Sequence, residues 1–106
     1  MAKYLIEASY TSDGAKGLMK DGGSKRRVAA EKAIKNAGGT LDAFYFAFGD
    51  RDALVIIDAP DHATVAAASL AINASGAVHT KTTVLLSPEE IDQAAKKGVK
   101  YTAPGK

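Results

Sequence analysis

The fold is decided by residues 41–59, LDAFYFAFGDRDALVIIDA, in which two apolar stretches flank a short polar turn. Aromatic residues recur at every second position of the first stretch, 41–48, which is typical of a β-strand. The second stretch, 53–59, is apolar on both faces and is therefore expected to be a central strand. The pattern predicts a β-hairpin. We expect Phe44, Phe46 and Phe48, which share one face of its first strand, to anchor the core.

Strand and helix patterns alternate on either side of this hairpin. Two further strands are predicted at residues 3–10 and 77–86. Apolar residues near helical spacing predict helices over residues 14–20, 24–37 and 61–73, with N-caps at Asp13 and Asp61. Ser87 begins a capping box with proline at the first helical position, so a short helix to about residue 97 should follow. The Gly22-Gly23 pair leaves open whether the first two helices are one kinked helix or two.

The element order predicts the topology of the sheet. The order β-α-β-β-α-β, followed by a C-terminal helix, matches the ferredoxin-like split βαβ unit. Right-handed crossovers then give a four-stranded antiparallel sheet of strand order 4-1-3-2, with both long helices on one face. We expect one α+β domain over residues 1–106, in which 98–106 form a tail. The other face of the sheet needs a cover, which predicts a homo-oligomer, most simply a dimer.

The hydrophobic residues are unusually small. Alanine supplies 21 of the 49 hydrophobic residues, whereas valine, isoleucine and leucine together supply 19. Because burial stabilises in proportion to apolar area, at about 25 cal/mol per Å², such a core gains little per residue. We therefore expect the helices to lie very close to the sheet, and Leu70, one of the larger helical residues, to be buried. Further apolar area should be buried between subunits.

Composition excludes several classes of function. The net charge of +2 is far from the strongly basic balance of a nucleic-acid-binding protein. The chain has no cysteine and two histidines, so we expect no disulfide, thiolate nucleophile, metal site or cofactor. Glu7 stands where a signal peptide would need an apolar segment, and no apolar run is long enough to span a membrane. These observations favour a cytoplasmic location without a membrane partner.

Several segments resemble a known family. They are YLIEASYT at residues 4–11, the segment 38–45, the turn FGDRD at 48–52, the apolar 55–57 and the segment 71–78. Together they are similar to the GYD domain family over about residues 3–90. The family usually has a tyrosine before the motif aspartate, whereas this chain has Arg51 before Asp52. We interpret this position as part of a turn or an interface.

The resemblance implies a fold more clearly than an activity. The family looks like a branch of the dimeric α/β-barrel group, in which two ferredoxin-like sheets pack face to face. The wider group includes cofactor-free monooxygenases, isomerases, haem-using enzymes and ligand-sensing modules, so the fold does not select the function.

Three sets of side chains are candidates for a site. Glu7, His79 and Lys81 should share one sheet face, where they would either transfer protons near neutral pH or form cross-strand ion pairs. Ser24, Lys25 and Arg26 follow the two glycines and would bind an anion at a helix start or form a solvated basic surface. Three of the four tyrosines would either line a ligand pocket or pack with their hydroxyl groups hydrogen-bonded. They are Tyr4, Tyr10 and Tyr45.

Two hypotheses of function follow. In the first, the protein binds or senses a small molecule between the first helix, strand 1 and strand 4, which requires only a mostly apolar pocket with a few polar groups. In the second, it is a cofactor-free enzyme that acts on a small organic substrate with His79 or Glu7 as the base. The sequence offers one plausible base and no nucleophile or metal ligand set, which favours binding over catalysis.

Overall fold

Four strands and four helices make up the fold, which a computed structural model describes for residues 1–106. In chain order they are β1 (Ala2–Tyr10), α1 (Ser12–Asp21), α2 (Gly23–Asn36), β2 (Thr40–Phe46), β3 (Ala53–Ala59), α3 (His62–Ala74), β4 (Val78–Leu85) and α4 (Pro88–Lys96). The strands form one antiparallel sheet in the order β2-β3-β1-β4. The predicted α+β class and strand order are confirmed.

The alternation of side chains divides the sheet into two unlike faces. On β1, Tyr4, Ile6 and Ala8 are buried on the face covered by α2 and α3. Their neighbours Lys3 and Glu7 lie on the opposite face, which we call the open face. The main core lies between the helices and the covered face, and its members are Tyr4, Ile6, Ile34, Leu41, Val55, Ile57, Ala59 and Val65.

The two glycines separate two helices rather than kinking one. Gly22 has φ +82°, which favours glycine because a Cβ is strained there. Gly23 begins α2 so close to β2 that an added Cβ would lie 2.9 Å from the Phe46 ring. The predicted N-cap at Asp13 is wrong. The cap is Thr11, whose hydroxyl oxygen accepts a hydrogen bond from the Gly14 amide at 3.2 Å.

Three of the residues expected in the core are exposed. Phe44 is half-buried against the core, but Phe46 is 42% exposed and Phe48 is fully exposed. The reason is that β2 is an edge strand and ends at Phe46, so Phe48 lies in the turn. The prediction that Leu70 is buried is also wrong, because this residue is 72% exposed. It follows the buried Val65 by five residues, which is about 140° around a helix of 3.6 residues per turn.

The C-terminal part begins as predicted and then leaves the sheet. Ser87 caps α4, with its hydroxyl accepting from the Glu90 amide and the Glu90 carboxylate accepting from the Ser87 amide. Every residue from Pro88 to Lys106 is exposed, and 98–106 contain no helix or strand. None of the four helices combines the length and the hydrophobicity that a membrane crossing requires.

Candidate ligand-binding cavity

A cavity lies between the covered face of the sheet and the helices α2 and α3. Its volume is about 540 Å³, and 16 of its 19 lining residues are hydrophobic. The sheet contributes the floor, formed by Ile6, Ala8, Phe44, Ala53, Val55 and Val78. The two helices and the C-cap residue of α2 contribute seven alanines, which are Ala29, Ala30, Ala33, Ala37, Ala67, Ala68 and Ala71.

The alanines explain why the cavity is open. A methyl group does not reach across the gap between α2 and α3, and few larger side chains fill it. The expectation that alanine-rich helices lie very close to the sheet is therefore wrong over this part of the covered face. None of these alanines was among the site residues predicted from the sequence. Their signal was the alanine content itself, which is equally consistent with close packing and with a lined space.

Few polar groups reach the cavity. Arg26, Asn36 and Thr80 are the three lining residues that are not hydrophobic, and Tyr10 adds a hydroxyl group. Thr80 already makes two hydrogen bonds with Asn73. Its backbone amide donates to Asn73 Oδ1 at 3.1 Å, and its hydroxyl accepts from Asn73 Nδ2 at 2.8 Å. Arg26 forms no ion pair, and the Tyr10 side chain forms no hydrogen bond within the chain.

The three candidate tyrosines do not share one pocket. Tyr4 is buried, and its hydroxyl lies 2.6 Å from Nδ1 of His62 at the start of α3. Tyr10 lines the cavity, half-buried. Tyr45 pairs with Leu54 on the open face and is 70% exposed. Only Tyr10 is therefore placed to contact a molecule in the cavity.

Glu7, His79 and Lys81 do share one face, as the sequence predicts, but it is the open face. Glu7 is directly opposite Lys81, and His79 is opposite Ser9. The Glu7 carboxylate accepts a hydrogen bond from Arg51 Nε at 3.2 Å. None of the three lines the cavity, which the sheet separates from them.

The basic segment at the start of α2 is divided between the surface and the cavity. Ser24 and Lys25 are exposed, and Lys25 Nζ lies 3.7 Å from the Asp21 carboxylate. Arg26 is half-buried and lines the cavity. Of the three anion-binding candidates, Arg26 is the one that lines the apolar cavity.

The open face carries a charged cluster at its edge. Lys3 Nζ contacts the carboxylates of Asp42 and Asp58. The hydrogen bond to Asp42 raises the pKa of Lys3, and the same bond lowers the pKa of Asp42. Asp42 lies where the pairing of β2 with β3 shifts register, which places its side chain within reach of β1. No group of three or more histidine, aspartate or glutamate side chains is arranged to hold a metal ion.

Asp52, the aspartate of the turn motif, fastens the β2–β3 hairpin to β1. Its carboxylate accepts from the Tyr10 amide at 2.8 Å. Its own amide donates to the Ala8 carbonyl at 2.9 Å, and its carbonyl accepts from the Ala47 amide at 2.9 Å. These bonds hold the end of the sheet beside the cavity, where Ala8 and Tyr10 are lining residues.

The fold and the cavity define a ferredoxin-like α+β protein with an apolar space under its helices. The family model described as "GYD domain" matches residues 4–95. The chain therefore belongs to the GYD domain family. Comparison with curated proteins and with solved structures finds no match.

Proposed function

We propose that this protein binds a small, largely apolar molecule in the cavity between α2, α3 and the sheet. The observation that carries the proposal is the cavity of about 540 Å³ with 16 hydrophobic residues among 19. Ligand sites are typically concave, about 300–1,000 Å³ in volume and mostly apolar, with a few polar groups that orient the ligand. Arg26, Asn36 and the Tyr10 hydroxyl are the polar groups available for that purpose.

The residues of the cavity support binding better than catalysis. A cofactor-free enzyme needs a general base within hydrogen-bonding distance of its substrate. The cavity lining contains no aspartate, glutamate or histidine. The two candidate bases, Glu7 and His79, lie on the open face. The alternative of an enzyme that uses either base would therefore require a second site, on the open face.

The proposal includes a second copy of the chain on the open face. Leu5 and Ile56 pair across the centre of that face, and Leu54 lies beside them. Charged groups surround this apolar centre, including the Lys3–Asp42 and Arg51–Glu7 pairs. An apolar centre with a polar rim is the usual composition of a protein interface. A dimer formed in this way would leave the cavity on the outer side of each sheet.

The test uses a neutral probe and two matched alanine variants. N-phenyl-1-naphthylamine fluoresces in apolar sites, and the chain contains no tryptophan to interfere. Ala68→Leu adds volume inside the cavity, whereas Ala66→Leu adds the same volume on the exposed side of α3. We expect the probe to bind the native chain saturably. Ala68→Leu should lower its affinity about tenfold, which corresponds to a loss of about 1.4 kcal/mol in binding free energy. Ala66→Leu should leave the affinity unchanged. Absence of saturable binding, or equal loss in both variants, would contradict the proposal.

A further inference from the structure

We infer that the cavity selects amphipathic carboxylates, molecules with an apolar body and one carboxylate group that binds to Arg26. This inference rests on the proposed function and specifies its ligand class. Arg26 is the only charged residue among the 19 that line the cavity. A single cation beside an otherwise apolar space favours a ligand of the same composition with the opposite charge.

Arg26 has no carboxylate partner of its own. The ion pairs of the chain join Lys3 to Asp42 and Asp58, Lys25 to Asp21, and Arg51 to Glu7. The comparison with Arg51 is informative, because both arginines are half-buried and only Arg51 is neutralised. A half-buried guanidinium group that lacks a partner gains a charge-assisted, two-point hydrogen bond when a carboxylate reaches it.

The start of α2 adds to the attraction for an anion. The first turn of this helix contains no acidic residue, and no side chain caps its free amide groups. Lys25, Arg26 and Arg27 therefore lie at the positive end of the helix dipole, an unfavourable arrangement that a bound anion relieves. Asp21 reaches Lys25 only, so it leaves the charge of Arg26 uncompensated.

The apolar body of the ligand has a defined place. Gly23 packs against Phe46, which pairs with Ala53, and Ala53 pairs with Ala8. The start of α2 therefore lies over the same end of the sheet as Tyr10, which also lines the cavity. From this end, the cavity continues between the alanines of α2 and α3 to Ile34 and Ala37. A carboxylate at Arg26 would leave an alkyl or aromatic group in that apolar space.

The experiment compares ligands that share one apolar body and differ in charge. Octanoate, 1-octanol and octylammonium are titrated by calorimetry into the native chain, Arg26→Gln and Lys25→Gln. We expect the native chain to bind octanoate about tenfold more tightly than 1-octanol, and octylammonium most weakly, since a hydrogen bond between charged groups is roughly twice as strong as a neutral one. Arg26→Gln should remove the preference for octanoate and leave 1-octanol affinity unchanged. Lys25→Gln, which removes a neighbouring charge outside the cavity, should keep the preference.

The outcomes separate the two proposals. Equal affinity of the native chain for octanoate and 1-octanol would overturn the carboxylate inference, and cavity binding would stand. A preference for octanoate that survives Arg26→Gln, or that is lost equally in Lys25→Gln, would also overturn it. Failure of all three ligands and of N-phenyl-1-naphthylamine would overturn the proposed function itself. Replacing octanoate by 2-naphthoate should give the same dependence on Arg26, with the tighter of the two anions identifying an alkyl or an aromatic body.

Discussion

Arg51 donates a hydrogen bond from Nε to the Glu7 carboxylate at 3.2 Å, which joins the turn after β2 to the middle of β1. The next residue, Asp52, accepts from the Tyr10 amide farther along the same strand. Two consecutive residues of the turn thus contact β1 at different points. The Arg51 side chain contacts Glu7 on the open face, and the Asp52 carboxylate contacts the Tyr10 amide at the end of the strand. Arg51 therefore supports the turn through its contact with β1.

The Arg51–Glu7 pair should contribute modestly to stability. The side chains are 38% and 24% exposed, so solvent screens much of their attraction. We expect a double-mutant cycle of Arg51→Met and Glu7→Gln, measured by urea unfolding, to give a coupling free energy of about 0.5–1 kcal/mol. The coupling should decrease as salt is added. A coupling of zero at low salt would show that the pair does not support the turn.

The Asp52 carboxylate should contribute more to the stability of the fold than the Asp50 carboxylate of the same turn. Asp52→Ala leaves the half-buried Tyr10 amide without its acceptor, which costs about 1–3 kcal/mol of unfolding free energy. Asp50 is exposed and makes no hydrogen bond, so Asp50→Ala should change stability by less than about 0.5 kcal/mol. Thermal unfolding of both variants measures the difference. Equal effects would contradict the role assigned to Asp52.

The Tyr4 hydroxyl has a stabilising partner that Tyr45 lacks. Tyr4 is 2% exposed, and its hydroxyl lies 2.6 Å from His62 Nδ1. Tyr4→Phe should lower the free energy of unfolding by about 1 kcal/mol, the usual contribution of one hydrogen bond. Tyr45→Phe removes an exposed hydroxyl and should have almost no effect. If His62→Ala abolishes the cost of Tyr4→Phe, the hydrogen bond is its source; if the cost persists, the assignment is wrong.

The sequence predicts the sheet well because its signals are periodic. Alternation on β1 and β4, and the apolar run of β3, fix which side chains share a face and which strand is central. The exposure of Phe48 was not predictable in the same way, because alternation continues through residues 41–48 although pairing with β3 ends at Phe46. The cavity was missed for a different reason. Alanine spacing on two helices indicates which residues face the sheet, but not how far the helices stand from it.

The charged cluster on the open face predicts a defined pH dependence. Lys3 lowers the pKa of Asp42 below its ordinary value of 3.8 through a hydrogen bond. The folded state therefore holds fewer protons than the unfolded state near and below pH 3.8, so the contribution of Asp42 is present above that pH and is lost as pH falls through its folded pKa. The contribution of Lys3, whose pKa is raised from 10.5, is present below that pH and is lost as pH rises through its folded value.

The variant Lys3→Met isolates this effect. Carboxyl-carbon NMR titration should show the pKa of Asp42 rising towards 3.8 in the variant. Asp61 is an internal control, because the Thr64 backbone amide, rather than a lysine, holds its pKa low. The pKa of Asp61 should therefore stay lowered in Lys3→Met. An unchanged pKa of Asp42, or a parallel rise at Asp61, would argue against the assigned cause.

The proposed dimer is tested by a single charge at the centre of the open face. Ile56 is half-buried, pairs with Leu5 and lies on the face opposite the cavity. If a second copy covers this face, sedimentation of the native chain at micromolar concentration should give twice the chain mass. Ile56→Glu should then give the monomer mass, because an unpaired carboxylate in an apolar interface is strongly disfavoured. Val28→Glu introduces the same charge at an exposed apolar residue of α2 and should leave the dimer intact. A monomeric native chain would show that no dimer forms. Dissociation by Val28→Glu but not by Ile56→Glu would show that the dimer contact does not lie on the open face.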